Sequence, residues 1–397
     1  MKKKYIVTII IIALVILDLI LLYFNLQKKR ENTSNIDVEV KPKDEVVEVN
    51  DMVFEYDSDI YIKDIVEIES DQKLDTLTLG EQTFSIKDND KTYNLNYRVV
   101  DTTPPFLNGG STITVQKGKS VNLVNKYLCG DNHDDKPNCY ITGDYDLNKL
   151  GTYSLVYHAE DSSGNKVQKN FKLKVVSKVS SSTSSKPQIA LSNYIKKYKT
   201  EDTMIGIDVS AWQGNIDYNK AKKDGVEFVI IRVGYGPSDG EYKLDKWFNE
   251  NYKKAKAAKL DIGVYFYSYA NSVEEAKKEV TWVMNKINHE PLQIGIAFDW
   301  ENWSTFNKYN VSFKKLNDIA SAFITEAENN GYNGYLYSSA FYLNRIWKRY
   351  DNTWLAYYTD NNDFSKPFSI WQATSRGKVK GISGNVDVDI LYKKKSN

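Results

Sequence analysis

Ile294-Gly295-Ile296-Ala297-Phe298-Asp299-Trp300-Glu301 is an apolar strand that runs abruptly into acid. Strand side chains alternate between faces, so Asp299 and Glu301 project together from its C-terminal end. The unbroken apolar run reads as a strand covered on both faces, the pattern of a parallel sheet or barrel. Two carboxylates on one side of such a strand end are what acid–base chemistry at a barrel mouth requires. A lone Asp-x-Glu is more commonly a pair of solvated acids, so its surroundings decide the reading.

Those surroundings alternate strand and helix over residues 199–397. Apolar strand candidates are Ile205–Asp208, Phe228–Val233, Ile262–Tyr267, Ile294–Asp299, Gly334–Tyr337, Trp354–Tyr358, Phe368–Gln372 and Val386–Ile390. Helix-like stretches, for example 248–259 and 273–287, lie between the early strands. Eight strands with interleaved helices predict a closed, TIM-like β/α barrel. The last three strands follow one another too closely for crossover helices, so the barrel is expected to be irregular at its end. Strand one ends in Asp208, strand four in Asp299 and Glu301, and strand eight carries Asp387. Four acids on three strands converge on one mouth. Trp212, Tyr235, Tyr267, Tyr269, Trp300, Tyr357 and Trp371 sit beside them and together would make a saccharide-binding groove.

Composition narrows the chemistry. Lys plus Arg number 53 against 52 for Asp plus Glu, which gives no electrostatic case for nucleic acid. The histidines are His133, His158 and His289, and the cysteines Cys129 and Cys139, so the barrel region has one His and no Cys. Thiol–imidazole peptidases, Ser-His-Asp hydrolases and histidine-rich zinc sites have little to work with there. Carboxylate chemistry remains, with no cofactor and no metal called for. The 29 Tyr and 8 Trp fit carbohydrate contact.

Gly206-Ile207-Asp208-Val209-Ser210, followed by Trp212-Gln213-Gly214, resembles the opening of the family 25 glycoside hydrolases, lysozymes that cut peptidoglycan. The similarity continues through Phe228–Gly236, Gly263–Tyr269, Asp299-x-Glu301, Trp371-Gln372 and Gly381–Asp387, in order over residues 204–392. The resemblance implies an irregular β/α barrel that hydrolyses the β-1,4 bond between N-acetylmuramic acid and N-acetylglucosamine. By position, Glu301 would be the general acid. Asp299 would stay ionised as nucleophile, as charge stabiliser, or as the group that orients the substrate's own N-acetyl for attack. Asp208 and Asp387 would complete the acidic mouth, with Tyr267, Tyr357 and Trp371 as subsite contacts. Asp389 departs from the pattern, since many relatives carry Asn there.

The N-terminal half is organised differently. Lys2-Lys3-Lys4 precede Tyr5–Phe24, a run of 20 residues interrupted by Thr8 and Asp18. That length spans a bilayer core. An Asp at a helix centre costs about 2.5–3.5 kcal/mol, and each Leu, Ile, Val or Phe returns about 0.3–0.6 kcal/mol. Residues 1–30 are therefore expected to be an uncleaved membrane anchor, with a cleaved signal peptide as the rival. Flanking Lys28-Lys29-Arg30 leaves orientation open.

Alternating runs such as Thr83–Ile86 and Tyr93–Val100 mark residues 36–102 as a small β module, and 103–177 as a β-sandwich. Asp101-Thr102-Thr103-Pro104-Pro105 and Asp161-Ser162-Ser163-Gly164-Asn165 resemble the immunoglobulin-like modules of bacterial surface proteins; the first module reads as a degenerate copy, with a different small β domain as the alternative. Sandwiches of this kind serve as spacers or weak binders, so cell-envelope protein partners are an expectation for these modules. Cys129 and Cys139 close a short loop and would pair outside the cytoplasm. Between them Asp131, His133, Asp134 and Asp135 match no EF-hand spacing and read as a solvated acidic loop, with calcium binding as the alternative. Ser-rich residues 178–198 read as a linker.

The combined expectation is a membrane-anchored peptidoglycan hydrolase, single-pass, with its catalytic domain facing the cell wall. The alternative is a non-catalytic wall-binding scaffold that uses the barrel as a lectin. An amidase or endopeptidase is disfavoured by the scarcity of His and Cys.

Overall fold

In a computed structural model of the chain, the described residues are strands 46–48, 60–62 and 66–68 together with 77–88, 91–179, 186–236 and 241–396. Two compact units part at Val100. In the first, Val46–Glu48 lies parallel to Lys91–Val100, which pairs antiparallel with Gly80–Asp88. Ile60–Ile62 and Val66–Ile68 form a separate antiparallel pair.

The larger part of the second unit is a closed eight-stranded barrel. Its strands are β1 (Thr203–Val209), β2 (Phe228–Tyr235), β3 (Asp261–Tyr267), β4 (Ile296–Asp299), β5 (Gly334–Ser339), β6 (Thr353–Ala356), β7 (Phe368–Lys378) and β8 (Val386–Ser396). Neighbours from β1 to β7 pair in parallel. β8 runs antiparallel to both β7 and β1 and closes the ring. All eight expected strands take part. The TIM-like label does not carry through to the end of the barrel. Only residues 379–385 separate β7 from β8, which permits a hairpin-like return and no crossover helix. Residues 357–367 likewise join β6 to β7 without a helix.

Local signals start the helices. Asp217, Ser272 and Ser312 each accept a backbone N–H three residues on, capping α2 (Tyr218–Asp224), α4 (Val273–Lys286) and α5 (Phe313–Asn329). α1 (Leu191–Tyr198) precedes β1, and α3 (Phe248–Ala257) precedes β3. Gly225 ends α2 at φ 113°, a left-handed turn open to glycine. The expected linker is shorter than 178–198, because Ile189–Ala190 pairs with β7 and Leu191 is buried in the barrel core.

The barrel strands bury both faces. Phe228, Ile230, Tyr265, Ala297, Tyr337 and Trp354 fill the interior. Val229, Ile231, Phe266, Phe298, Leu336 and Leu355 belong to the larger core, which they share with apolar side chains of the helices. Two apolar layers explain why each strand reads as a continuous hydrophobic run.

Ahead of the barrel lies a two-sheet sandwich. Thr112–Gln116, Lys166–Val176, Gly151–Glu160 and Asn138–Thr142 form one sheet, and Phe106–Asn108 with Leu128–Gly130 the other. Tyr127, Leu155, Tyr157, Phe171 and Leu173 form its core, and Cys129 and Cys139 are joined by a disulfide. The sandwich is seated on the barrel. The Phe313 N–H donates to the Asp131 carbonyl at 2.7 Å and the Ser312 N–H to Asp135 Oδ1 at 3.0 Å, while Lys315 pairs with Asp135. Phe106 packs edge-on against Phe313, and Leu128 belongs to the barrel's apolar core. Gly130 lies against Phe306 and Phe313 so closely that a Cβ would stand 2.6 and 2.7 Å from their rings. Phe306 belongs to the 3-10 turn Trp303–Lys308, just after Glu301.

The membrane expectation is corrected. No helix among the described residues is long and apolar enough to cross a membrane. The anchor expected over residues 1–30 lies outside the described residues, and single-pass placement with a wall-facing catalytic domain is not retained.

Because the Gly130 contact is ring against backbone, Gly130→Val should lower stability in urea denaturation by about 1–3 kcal/mol through overpacking. Gly110→Ala, whose Cβ would stand 3.5 Å from its nearest neighbour, should change it little.

Candidate active site

The inward-facing strand positions converge at one end of the barrel. Asp208, Asp299, Glu301 and Asp387 line a cavity of about 300 Å³ there, with Arg232, Tyr265, Tyr267 and Gln372 among its walls. Register explains the convergence. Asp299 lies opposite Tyr267 on β3 and Tyr337 on β5. On the far side, antiparallel β8 sets Asp387 against Asp208 and Asp389 against Gly206.

Hydrogen bonds hold these acids in place. Gln372 Nε2 donates to Asp208 Oδ2 at 2.7 Å, and the Tyr337 and Tyr358 hydroxyls donate to Gln372 Oε1 at 3.0 and 2.8 Å. That pair of donors orients the glutamine amide so that its N–H faces the carboxylate. Trp354 Nε1 donates to Asp389 Oδ1 at 2.8 Å. Arg232 is fixed by Asp245, whose Oδ2 receives Nε at 2.8 Å and Nη2 at 2.7 Å. Asp299 Oδ1 is buried with no hydrogen-bond donor.

Burial, and then crowding by one another, raises the pKa values of these acids. Burial, and then the charges of Asp387 and Asp389, push Asp208 well above the usual carboxylate range, against the pull of Gln372. Burial and the neighbouring Glu301 raise Asp299, while Arg232 pulls it down. Glu301 is exposed as a residue, yet the protein packed around its carboxyl raises its pKa by desolvation. Asp387 is lifted to about 6 and Asp389 to about 8, both chiefly by burial. Interacting acids of this kind titrate as a group.

Of the residues expected from sequence, Asp208, Asp299, Glu301, Asp387 and Tyr267 meet in the cavity. Tyr357 and Trp371 do not. Trp371 is fully buried on the outer face of β7, where Nε1 donates to the Tyr357 carbonyl at 2.8 Å and the ring meets Tyr198. The Tyr357 hydroxyl donates to Asp363 Oδ1, beside a different cavity. Their sequence neighbours Tyr358 and Gln372 face the acids instead, because β6 stops at Ala356 and the inner positions of β7 are Ile370 and Gln372. Arg232, Tyr265, Tyr337, Trp354 and Gln372 had no sequence-based role. Counting by twos from Phe228, Tyr335 or Ile370 would have flagged most of them.

The chain is similar to known proteins over both the barrel and the sandwich. Residues 207–382 match the family described as glycosyl hydrolases family 25, and residues 105–175 match the Ig-like domain of bacterial surface proteins. The autolytic lysozyme of Clostridium acetobutylicum is 28% identical over 190 residues, covering 47% of this chain and 55% of that protein. YegX of Escherichia coli K12 is 27% identical over 202 residues, covering 48% of this chain and 70% of that one. The structure of the modular autolysin LytC from Streptococcus pneumoniae in complex with a synthetic peptidoglycan ligand shares 26% identity and a TM-score of 0.44, over 60% of this chain and 56% of LytC. The chain thus spans about half the length of that lysozyme and of LytC. Over residues 207–382 the chain is thus similar to the family 25 glycosyl hydrolases, and over residues 105–175 to the Ig-like domains of bacterial surface proteins.

The buried acids fix the sign of a pH effect. Asp389 has a usual value of 3.8 and a folded value of about 8, so between these the native state holds a proton that the unfolded chain has lost. Stability therefore falls as pH rises across that window. The melting temperature should be higher at pH 5 than at pH 8. Asp389→Asn, which keeps an acceptor for Trp354, should flatten the dependence and raise the melting temperature at pH 8; scanning calorimetry measures both.

Proposed function

We propose that the protein is a peptidoglycan muramidase, cleaving the β-1,4 bond between N-acetylmuramic acid and N-acetylglucosamine. The carrying observation is that Asp299 and Glu301 share the inner face of one strand end, in a cavity that also holds Asp208 and Asp387. The family match supports the same reaction class.

Glu301 acts as the general acid. Burial raises its pKa, which favours the protonated form that donates to the departing glycosidic oxygen, and its exposure lets the proton return from water. Asp299 carries the complementary charge once Glu301 holds the proton: burial still raises its pKa, but the Glu301 charge that adds to the rise is then gone and Arg232 favours the ionised form. Its unpartnered Oδ1 suits an N–H donor brought by the sugar. An N-acetyl amide offers one, so Asp299 orients that group against the anomeric carbon. Asp208, anchored by Gln372, and Asp387 hold sugar hydroxyls along the opposite wall. Trp212, 86% exposed at the rim, offers an aromatic face for an adjoining sugar ring.

Glu301→Gln in the full chain should lower kcat on purified peptidoglycan by about 10²–10⁴-fold while wall binding persists. Mass analysis of wild-type products should find N-acetylmuramic acid at the new reducing ends. Wild-type activity should decline as pH rises through the Glu301 pKa, where the acid loses its proton. A glutamine variant that cuts normally would remove Glu301 from the role. Wall binding without release of fragments by the wild type would favour the lectin-like scaffold.

A further inference from the structure

The sandwich holds a second cluster of buried acids that the hydrolase chemistry does not use. We propose that Asp101, Asp131 and Asp161 form a divalent-cation site, suited to calcium, at the end of the sandwich seated on the barrel.

Three separate segments supply these acids. Asp101 enters the sandwich, Asp131 follows strand Leu128–Gly130, and Asp161 follows Gly151–Glu160. Their exposures are 7%, 0% and 6%, and one carboxylate oxygen from each lies within 4.8 Å of the other two. Oxygens bound to one calcium at about 2.3–2.6 Å are separated by at most ~5 Å, so the spacing fits a single shared ion. An all-carboxylate donor set selects a hard cation.

An independent observation points to a ligand. Asp131 Oδ2 is fully buried without a hydrogen-bond partner. Asp131 Oδ1 accepts the N–H groups of His133 and Asp134 at 2.8 and 2.7 Å, which locks the side chain in place. Asp161 is held equally firmly, receiving the Asn165 N–H at 2.8 Å and Asn165 Nδ2 at 2.9 Å. The same Nδ2 donates to the Asp101 carbonyl at 2.9 Å. Hydrogen bonds thus preorganise the carboxylates, while one buried oxygen waits for a positive partner. A buried charge without one is costly, and a bound cation removes that cost.

The ion would also act on the domain contact. The Asp131 carbonyl accepts the Phe313 N–H, and the Asn132 carbonyl the Lys314 N–H at 3.3 Å, at the start of α5. The turn fixed by the ion is therefore the turn that docks on the barrel. Asp131 is thus no part of a solvated acidic loop.

The test is calcium titration of the full, chelator-treated chain by calorimetry, with thermal melts beside it. We expect one saturable site, a melting temperature raised by several degrees with CaCl2, and reversal by EGTA. Asp131→Asn and Asp161→Asn should each weaken binding at least ~10-fold and abolish the shift, as ligand binding to the native state requires. Asp387→Asn in the barrel should leave binding unchanged. No heat and no shift up to ~5 mM calcium, magnesium or manganese, above the range of weak extracellular calcium modules, would overturn the proposal. Wild-type affinity in both sandwich variants would overturn it too, placing the ion elsewhere. Neither readout depends on glycan cleavage, so failure here and failure of the hydrolase reading are distinguishable.

Discussion

The antiparallel seating of β8 between β7 and β1 is the constraint on which the site depends. It closes the barrel and dries the inner layer of Phe228, Tyr265, Tyr337 and Trp354. It also delivers two acids at once, because Asp387 and Asp389 occupy successive inward positions. With Asp208 directly across the ladder, three carboxylates gather on one wall, facing Asp299 and Glu301 from β4. A parallel eighth strand would run the other way and take its acids out of this register.

Such a concentration of negative charge is expensive, and the surrounding groups show how it is tolerated. Gln372, fixed by two tyrosine hydroxyls, serves Asp208, and Trp354 serves Asp389. Arg232, held by Asp245, supplies a positive charge near Asp299. The remaining strain appears as raised pKa values for the buried acids, a pattern that clusters at functional sites. Stability is surrendered where the chemistry needs it, a common bargain in active sites.

The sandwich belongs to this arrangement more closely than a spacer would. Trp300 is fully buried between the two candidate catalytic acids and packs on Trp303, Phe306 and Tyr309. Trp303 in turn stacks on Tyr342 at 4.0 Å, and Phe106 of the sandwich packs against the neighbouring Phe341. The segment after Glu301 is thus wedged between barrel and sandwich. Rigid packing of this kind transmits small displacements, so the sandwich helps set where Glu301 sits.

Much was legible in the sequence because it is local. Alternation placed Asp299 and Glu301 on one face, apolar runs marked eight strands, and spacing showed that the last three lack crossover helices. Turn chemistry and short motifs marked the sandwich. Periodicity assigns residues to two faces without saying which face is inside, and that choice separated Tyr358 and Gln372 from Tyr357 and Trp371. Strand direction, the burial of Asp389, the docking of Gly130 under two phenylalanine rings and the meeting of Asp101, Asp131 and Asp161 are all long-range. Sequence by itself determined the elements and the chemistry they carry. Only the tertiary structure decided which groups meet, because register and packing join residues that no local pattern connects.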